Sequence, residues 1–142
     1  VSDLHLSEHL PQTLLQFEDF CSTTAVHYDA LFIIGDLFEY WVGDDAADLN
    51  PAAMRVIRAI QDLNTKGTAV FFMRGNRDVA IEQAFCQRAG MTLLPDPSLI
   101  ELPEQRVPSA MATCCVPTMW SINANAAFTH THGSKVRYSK CP

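Results

Sequence analysis

Apolar residues over the first 107 positions fall into blocks with two alternating rhythms. Residues 1–3 read as the tail of a first strand. Residues 10–20 follow with Leu14, Leu15, Phe17 and a further Leu/Phe pair at helical spacing. Residues 30–34, "ALFII", form an unbroken apolar run of the kind a strand shows when both its faces are covered. Asn50-Pro51 then supplies an N-cap and a proline at the first helical position. Met54, Ile57, Ile60 and Leu63 line one face of the helix it opens, and Gly67 ends it. "TAVFFM" is a second buried strand that ends in "RGNRD", residues 79–89 read as a helix closed by Gly90, and short strands are expected near 91–94 and 99–102. The order β-α-β-α-β-α-β predicts an α/β domain with a mostly parallel sheet and helices on its faces. Beyond Val107 the periodicity stops and predicts no element.

Polar residues recur at one structural position, the carboxyl end of each strand. Asp3 and His5 follow the first, Asp36 and Glu39 the second, Asn76, Arg77 and Asp78 the third. In open α/β sheets ligands bind at that edge, so side chains distant in sequence should converge there. Asp, His and Asn donors without a thiolate suit Mn²⁺, Fe²⁺ or Mg²⁺, and Zn²⁺ less exclusively. A divalent cation also explains why "ALFIIGDLFEYWVGDD" runs carboxylates straight into the end of an apolar strand. Asp36, on the middle strand, is placed to bridge two ions at the spacing of about 3.5–4 Å used in phosphoryl chemistry. Gly35 and Gly75, each directly before a candidate ligand, would let the backbone turn tightly and approach closely. For Glu39 two readings stand open: it orients a ligand, or it caps the next segment. Asp78 is expected to N-cap the helix starting at Val79. Tyr40 and Trp41 read as packing, Asp44, Asp45 and Asp48 as a solvated loop, His9 and His27 as surface residues, and the cysteines as core or tail residues without function.

Composition narrows the function further. The 142 residues, 48% of them apolar, make one domain with an ordinary core. A net charge of −6 argues against a nucleic-acid face built on bulk positive charge, which leaves phosphate recognition to metal or a few arginines. Five cysteines without a C-x-x-C pair fit a reducing cytosol. There is no signal-peptide pattern and no apolar run near the roughly 18 residues of a membrane span, so any membrane contact is expected to be peripheral. No protein partner is evident. The opening Val1-Ser2-Asp3 reads as a clipped N-terminus.

The blocks "SDLHLSE", "GDLFE" and "GNRD" resemble the D-x-H, G-D-x-x-E and G-N-[HR]-D motifs of calcineurin-like metallophosphoesterases. The longer strings "GDLFEYWVGDD", "FMRGNRD" and "AGMTLLPDP" are similar to the branch of that family that splits UDP-2,3-diacylglucosamine in lipid A synthesis. The resemblance covers about residues 1–107. It implies an incomplete metallophosphoesterase sandwich, with Asp3 and His5 on one metal, Asp36 bridging and Asn76 on the second. Asn76 and Arg77 would also touch the substrate, with Asp36 and Arg77 as the catalytic pair. It further implies Mn²⁺ as cofactor and a nucleotide-lipid substrate hydrolysed to UMP and 2,3-diacylglucosamine 1-phosphate by a metal-activated water. The implied location is cytoplasmic, peripheral on the inner membrane. Many relatives carry His where this chain has Arg77. A phosphate leaving group needs little protonation, so a cation can serve there instead, and Arg77 favours a pyrophosphate over a simple ester. The alternatives are another calcineurin-like phosphoesterase or a non-catalytic truncated remnant.

The tail departs from the family. The His-Gly-Asp and Gly-His-x-His blocks that complete the family's metal site, and its helical lid, are absent in frame, and His130 and His132 in "THTHG" are not expected to be ligands. All 16 acidic residues lie at or before Glu104. Read one nucleotide out of frame with free choice of synonymous codons, residues 110–132 can become "HGDMLCTDDVEYQRQRRLYTHPW", which opens on the missing His-Gly-Asp and restores acidic residues. The expectation is therefore a family segment at 1–107 and a frameshifted, non-family tail at 108–142, with impaired activity in the chain as encoded.

Overall fold

The computed structural model describes residues 1–96, 98–102, 105–109 and 137–140. The stretch 110–132, with its alternative frame and with His130 and His132, lies outside them.

Three parallel strands form the central sheet in the order β1-β2-β3, with β1 Ala30–Ile34, β2 Ala69–Met73 and β3 Met91–Leu93. Their register pairs Ile33 with Phe72 and Phe72 with Leu93. Residues 1–6 run along the other edge of β1 as an irregular segment and not as the end of a regular strand. The Ile34 amide donates to Val1 O at 2.8 Å, that of His5 to Asp36 O at 3.0 Å and that of Leu6 to Leu37 O at 2.9 Å. Pairing continues past the end of β1, with a parallel bridge between Leu6 and Phe38. The two polar loops are therefore zipped together by backbone hydrogen bonds.

The helices are α1 Pro11–Asp19, α2 Pro51–Thr65 and α3 Gln83–Ala89. In α2 the Asn50 side chain accepts from Ala52 N and Ala53 N and Pro51 fills the first turn, as the local sequence dictates. Leu14 and Phe17 of α1, Val56, Ile57, Ile60 and Leu63 of α2, and Phe85 and Ala89 of α3 share one core with Leu31, Ile33, Val70 and Phe72 of the sheet. On the opposite face Phe71, Met73 and Leu94 cluster with the half-buried Ala30, Phe32 and Ile34, and Phe32 stacks on Phe71 at 4.9 Å. Among the described residues the helices thus pack on one face of the sheet, not on both as the apolar runs suggest.

Three expected elements are corrected. The third helix begins at Gln83 and not at Val79, because Asp78 turns its side chain inward and its carbonyl accepts from Ile81 N in a turn. Residues 99–102 do not join the parallel sheet: β4 Ser98–Leu102 pairs antiparallel with β5 Gln105–Ser109 and β6 Arg137–Lys140 in a separate sheet. β5 and β6 also carry strand structure beyond Val107, where the pattern predicts none. Such short strands have no periodicity to read and exist by virtue of their partners.

Candidate metal centre

The carboxyl ends of β1 and of the edge segment bring Asp3, His5 and Asp36 together, with one donor atom from each all lying within 4.8 Å of one another. Asp36 is buried, His5 half-buried and Asp3 exposed, so the cluster opens to solvent on one side. All three have left-handed backbones, with φ of 53°, 49° and 52° for Asp3, His5 and Asp36. Among the described residues these are the non-glycine positions with positive φ. Asp and His tolerate this region better than most side chains, yet each such residue still costs about 1–3 kcal/mol, and such strain concentrates at functional sites.

Gly75 lets β2 deliver its loop to the same place. A Cβ there would lie 2.2 Å from Asp36 Oδ1 and 2.4 Å from Asp36 N, so only glycine fits beside that carboxylate. The Arg77 amide donates to Asp36 Oδ1 at 2.9 Å. Asn76 turns its side-chain oxygen toward Asp36, 2.8 Å from Oδ2 and 3.1 Å from Oδ1. Two acceptors that close repel. The contact is satisfied by turning the carboxamide over so that its nitrogen donates, or by a cation shared between the oxygens.

Glu39 stands between two of the candidates. Its Oε2 lies 2.8 Å from His5 Nδ1 and its Oε1 3.1 Å from Arg77 Nη1, so it contacts an imidazole and a guanidinium at once. That geometry matches the orienting role and not the capping one. The buried His5 Nδ1 meets Glu39 without the angle of a hydrogen bond and has no other partner. Asp78 is fully buried, and its carboxylate accepts from Leu37 N and Gly75 N, both at 2.7 Å, instead of capping a helix. Burial pushes its carboxyl up, the N–H groups of Gly75, Leu37 and Phe38 pull it down, and the charge of Asp36 adds to the upward push.

Two further residues depart from their sequence reading. Asp44 is not solvated: it accepts from Glu82 N and Phe85 N at the start of α3, the latter at 2.7 Å, and from Trp41 Nε1 at 3.1 Å. Asp48 is exposed, as expected of a solvated loop, and pairs with Arg88. Trp41 packs as expected, stacked on Phe38 at 4.9 Å and tilted against Phe85 at 4.6 Å, whereas Tyr40 is 53% exposed and packs on little. Asp45, His9 and His27 are exposed, and Cys21 and Cys86 are core residues. The bonds from Asp44 to Glu82 and Phe85 and from Asp78 to Leu37 reach across about 40 residues, and no local sequence pattern announces them.

The chain is similar to UDP-2,3-diacylglucosamine hydrolases. That of Pseudomonas entomophila (strain L48) is 49% identical over 102 residues, covering 72% of this chain and 42% of the relative. That of Neisseria meningitidis serogroup B (strain MC58) is 52% identical over 104 residues, again 72% and 42%. For Pseudomonas putida (strain F1) the figures are 48% over 107 residues, 75% and 44%. The chain therefore spans less than half the length of the curated relatives it matches. No family model matches it. Among the described residues no helix is long and apolar enough to cross a membrane.

Proposed function

We propose that this chain carries part of the active site of a UDP-2,3-diacylglucosamine hydrolase of the calcineurin-like metallophosphoesterase type. The observation that carries the reading is the convergence of Asp3, His5 and Asp36 at left-handed positions within 4.8 Å. Similarity to proteins named for that activity supports it. The donor set fits a hard or borderline divalent ion, and the Asn76 carboxamide lies 2.8 Å from Asp36 Oδ2, near enough for both side chains to reach one ion. Asp3 and His5 would hold one Mn²⁺, Asp36 would bridge and Asn76 would hold the second. Bound there, the metal supplies Lewis acidity and a water of lowered pKa for attack on phosphorus.

The remaining chemistry belongs to side chains. Arg77, half-exposed and held by Glu39, faces an anionic substrate with a permanent cation that stabilises charge on a phosphate leaving group without giving up a proton. Glu39 fixes the position of His5 from behind. A cavity of about 230 Å³ is lined by Leu6, Ser7, Tyr40, Trp41, Val42 and Leu49, among them the residues that follow His5 and Glu39 in the chain. Its apolar rim suits the lipid part of the substrate, and contact with the cytoplasmic face of the inner membrane would be peripheral.

The test is Mn²⁺ binding and Mn²⁺-dependent release of UMP from UDP-2,3-diacylglucosamine. We expect Mn²⁺ to bind and turnover to be weak or absent, since four ligands are few for two ions. Asp36→Ala is expected to abolish binding, and unchanged binding in that variant overturns the reading. Robust turnover by the parent would place further ligands in residues 110–136.

A further inference from the structure

Asp78 is an anomaly of the core. A carboxylate with no exposed surface lies where desolvation is most expensive, yet Asp78 is not among the residues of the candidate metal cluster and among the described residues no cation pairs with it. Its oxygens accept from backbone amides of both loops, 38 positions apart: Oδ2 from Leu37 N and Oδ1 from Gly75 N, both at 2.7 Å, with the Phe38 N–H also drawing on the carboxylate. Leu37 directly follows Asp36, and Gly75 directly precedes Asn76. These two donors are thus the residues adjoining the two side chains that meet across the strand ends.

The other described polar links between these loops, Asp36 to the Arg77 amide and Glu39 to the Arg77 guanidinium, both use residues of the candidate site itself. Without Asp78, the Leu37 and Gly75 amides would be buried donors with nothing to donate to, and the loops would have to part to admit water. The left-handed turn at Asp36 and the close passage of Gly75 both require the loops to stay in contact.

We infer that Asp78 is a positioning residue for metal binding: its buried carboxylate clamps the β1 loop to the β2 loop and so fixes the spacing of Asp36 and Asn76 without touching an ion. This rests on the metal reading above and adds a residue to it. Asp78→Asn keeps the shape but gives one oxygen two donors to satisfy and points an NH₂ at a backbone N–H, which breaks one arm of the clamp.

The experiment titrates Mn²⁺ into the whole chain and reads free Mn²⁺ by electron paramagnetic resonance, well below the melting temperature. Circular dichroism follows folding in parallel. D78N is expected to bind Mn²⁺ about 10- to 100-fold more weakly with an unchanged spectrum, as loss of a residue behind a ligand does, and D78E to recover part of the loss. A variant that melts lower but binds Mn²⁺ as tightly as the parent has lost only a structural contact, and overturns the inference. D36N separates the two levels. If D36N also binds like the parent, the metal reading falls and this inference with it; if D36N loses binding and D78N does not, this inference falls alone. Should D78N fail to fold, amide hydrogen exchange in the unaltered chain decides. Strong protection of Leu37 and Gly75 supports the clamp, and exchange as fast as at exposed Asn76 removes it.

Discussion

Asp36 fills the space that a side chain at Gly75 would need, so the smallest substitution there has a large consequence. Gly75→Ala must push the β2 loop off Asp36, and we expect it to remove Mn²⁺ binding in isothermal calorimetry and to lower the melting temperature. Glycine before the candidate ligand is visible in the sequence, but the neighbour it accommodates is not. The thiols give a second expectation at this scale. Burial, helped by nearby Glu18, pushes Cys21 up to about 11, and burial, followed by Asp44, pushes Cys86 up to about 12. Both stay protonated and covered at neutral pH. In the native chain they should resist iodoacetamide and in urea they should react, as peptide mass spectrometry would show.

Two helices with different origins show what an element owes to its own sequence. The start of α2 is local: Asn50 and Pro51 sit next to the turn they cap, and the apolar spacing from Met54 onward gives its buried face. Asn50→Ala should cost about 1 kcal/mol in urea unfolding. The start of α3 is not local, because its first amides are met by Asp44 from a loop about 40 residues earlier and no side chain of its own caps it. Asp44→Ala removes those bonds together with the Trp41 contact and is expected to cost about 2 kcal/mol, the upper end for a cap. That distant partner is why the sequence places the helix four residues too early and reads Asp44 as solvated.

At the scale of the molecule, α1 is tied to α2 by a two-pronged pair in which Arg55 Nε and Nη2 donate to Glu18 at 2.7 and 2.5 Å. The hydrogen bond to Arg55 holds the Glu18 carboxyl below its ordinary value. A depressed carboxylate contributes stability that is present above the unfolded value and lost as pH falls through the folded one. The melting temperature of Arg55→Met should therefore lie below that of the parent at neutral pH, and the gap should close as pH drops below the usual glutamate range. Both side chains are about one-third exposed, so the gap is expected to be modest and to shrink in salt.

The sequence by itself determined the alternation of strands and helices from Ala30 to Leu93, the parallel direction of those strands, and the position of Asp36, Asn76 and Arg77 just past the ends of β1 and β2. Those follow from short-range periodicity and from the rule that parallel strands present their carboxyl ends on one edge. Only the tertiary structure decided that the helices share one face, that β4 leaves the parallel sheet, that Glu39 bridges His5 and Arg77, and that Asp78 joins two loops from the core. Each of these depends on a partner far away in the chain. A buried carboxylate or a short strand takes its role from whichever distant donor satisfies it.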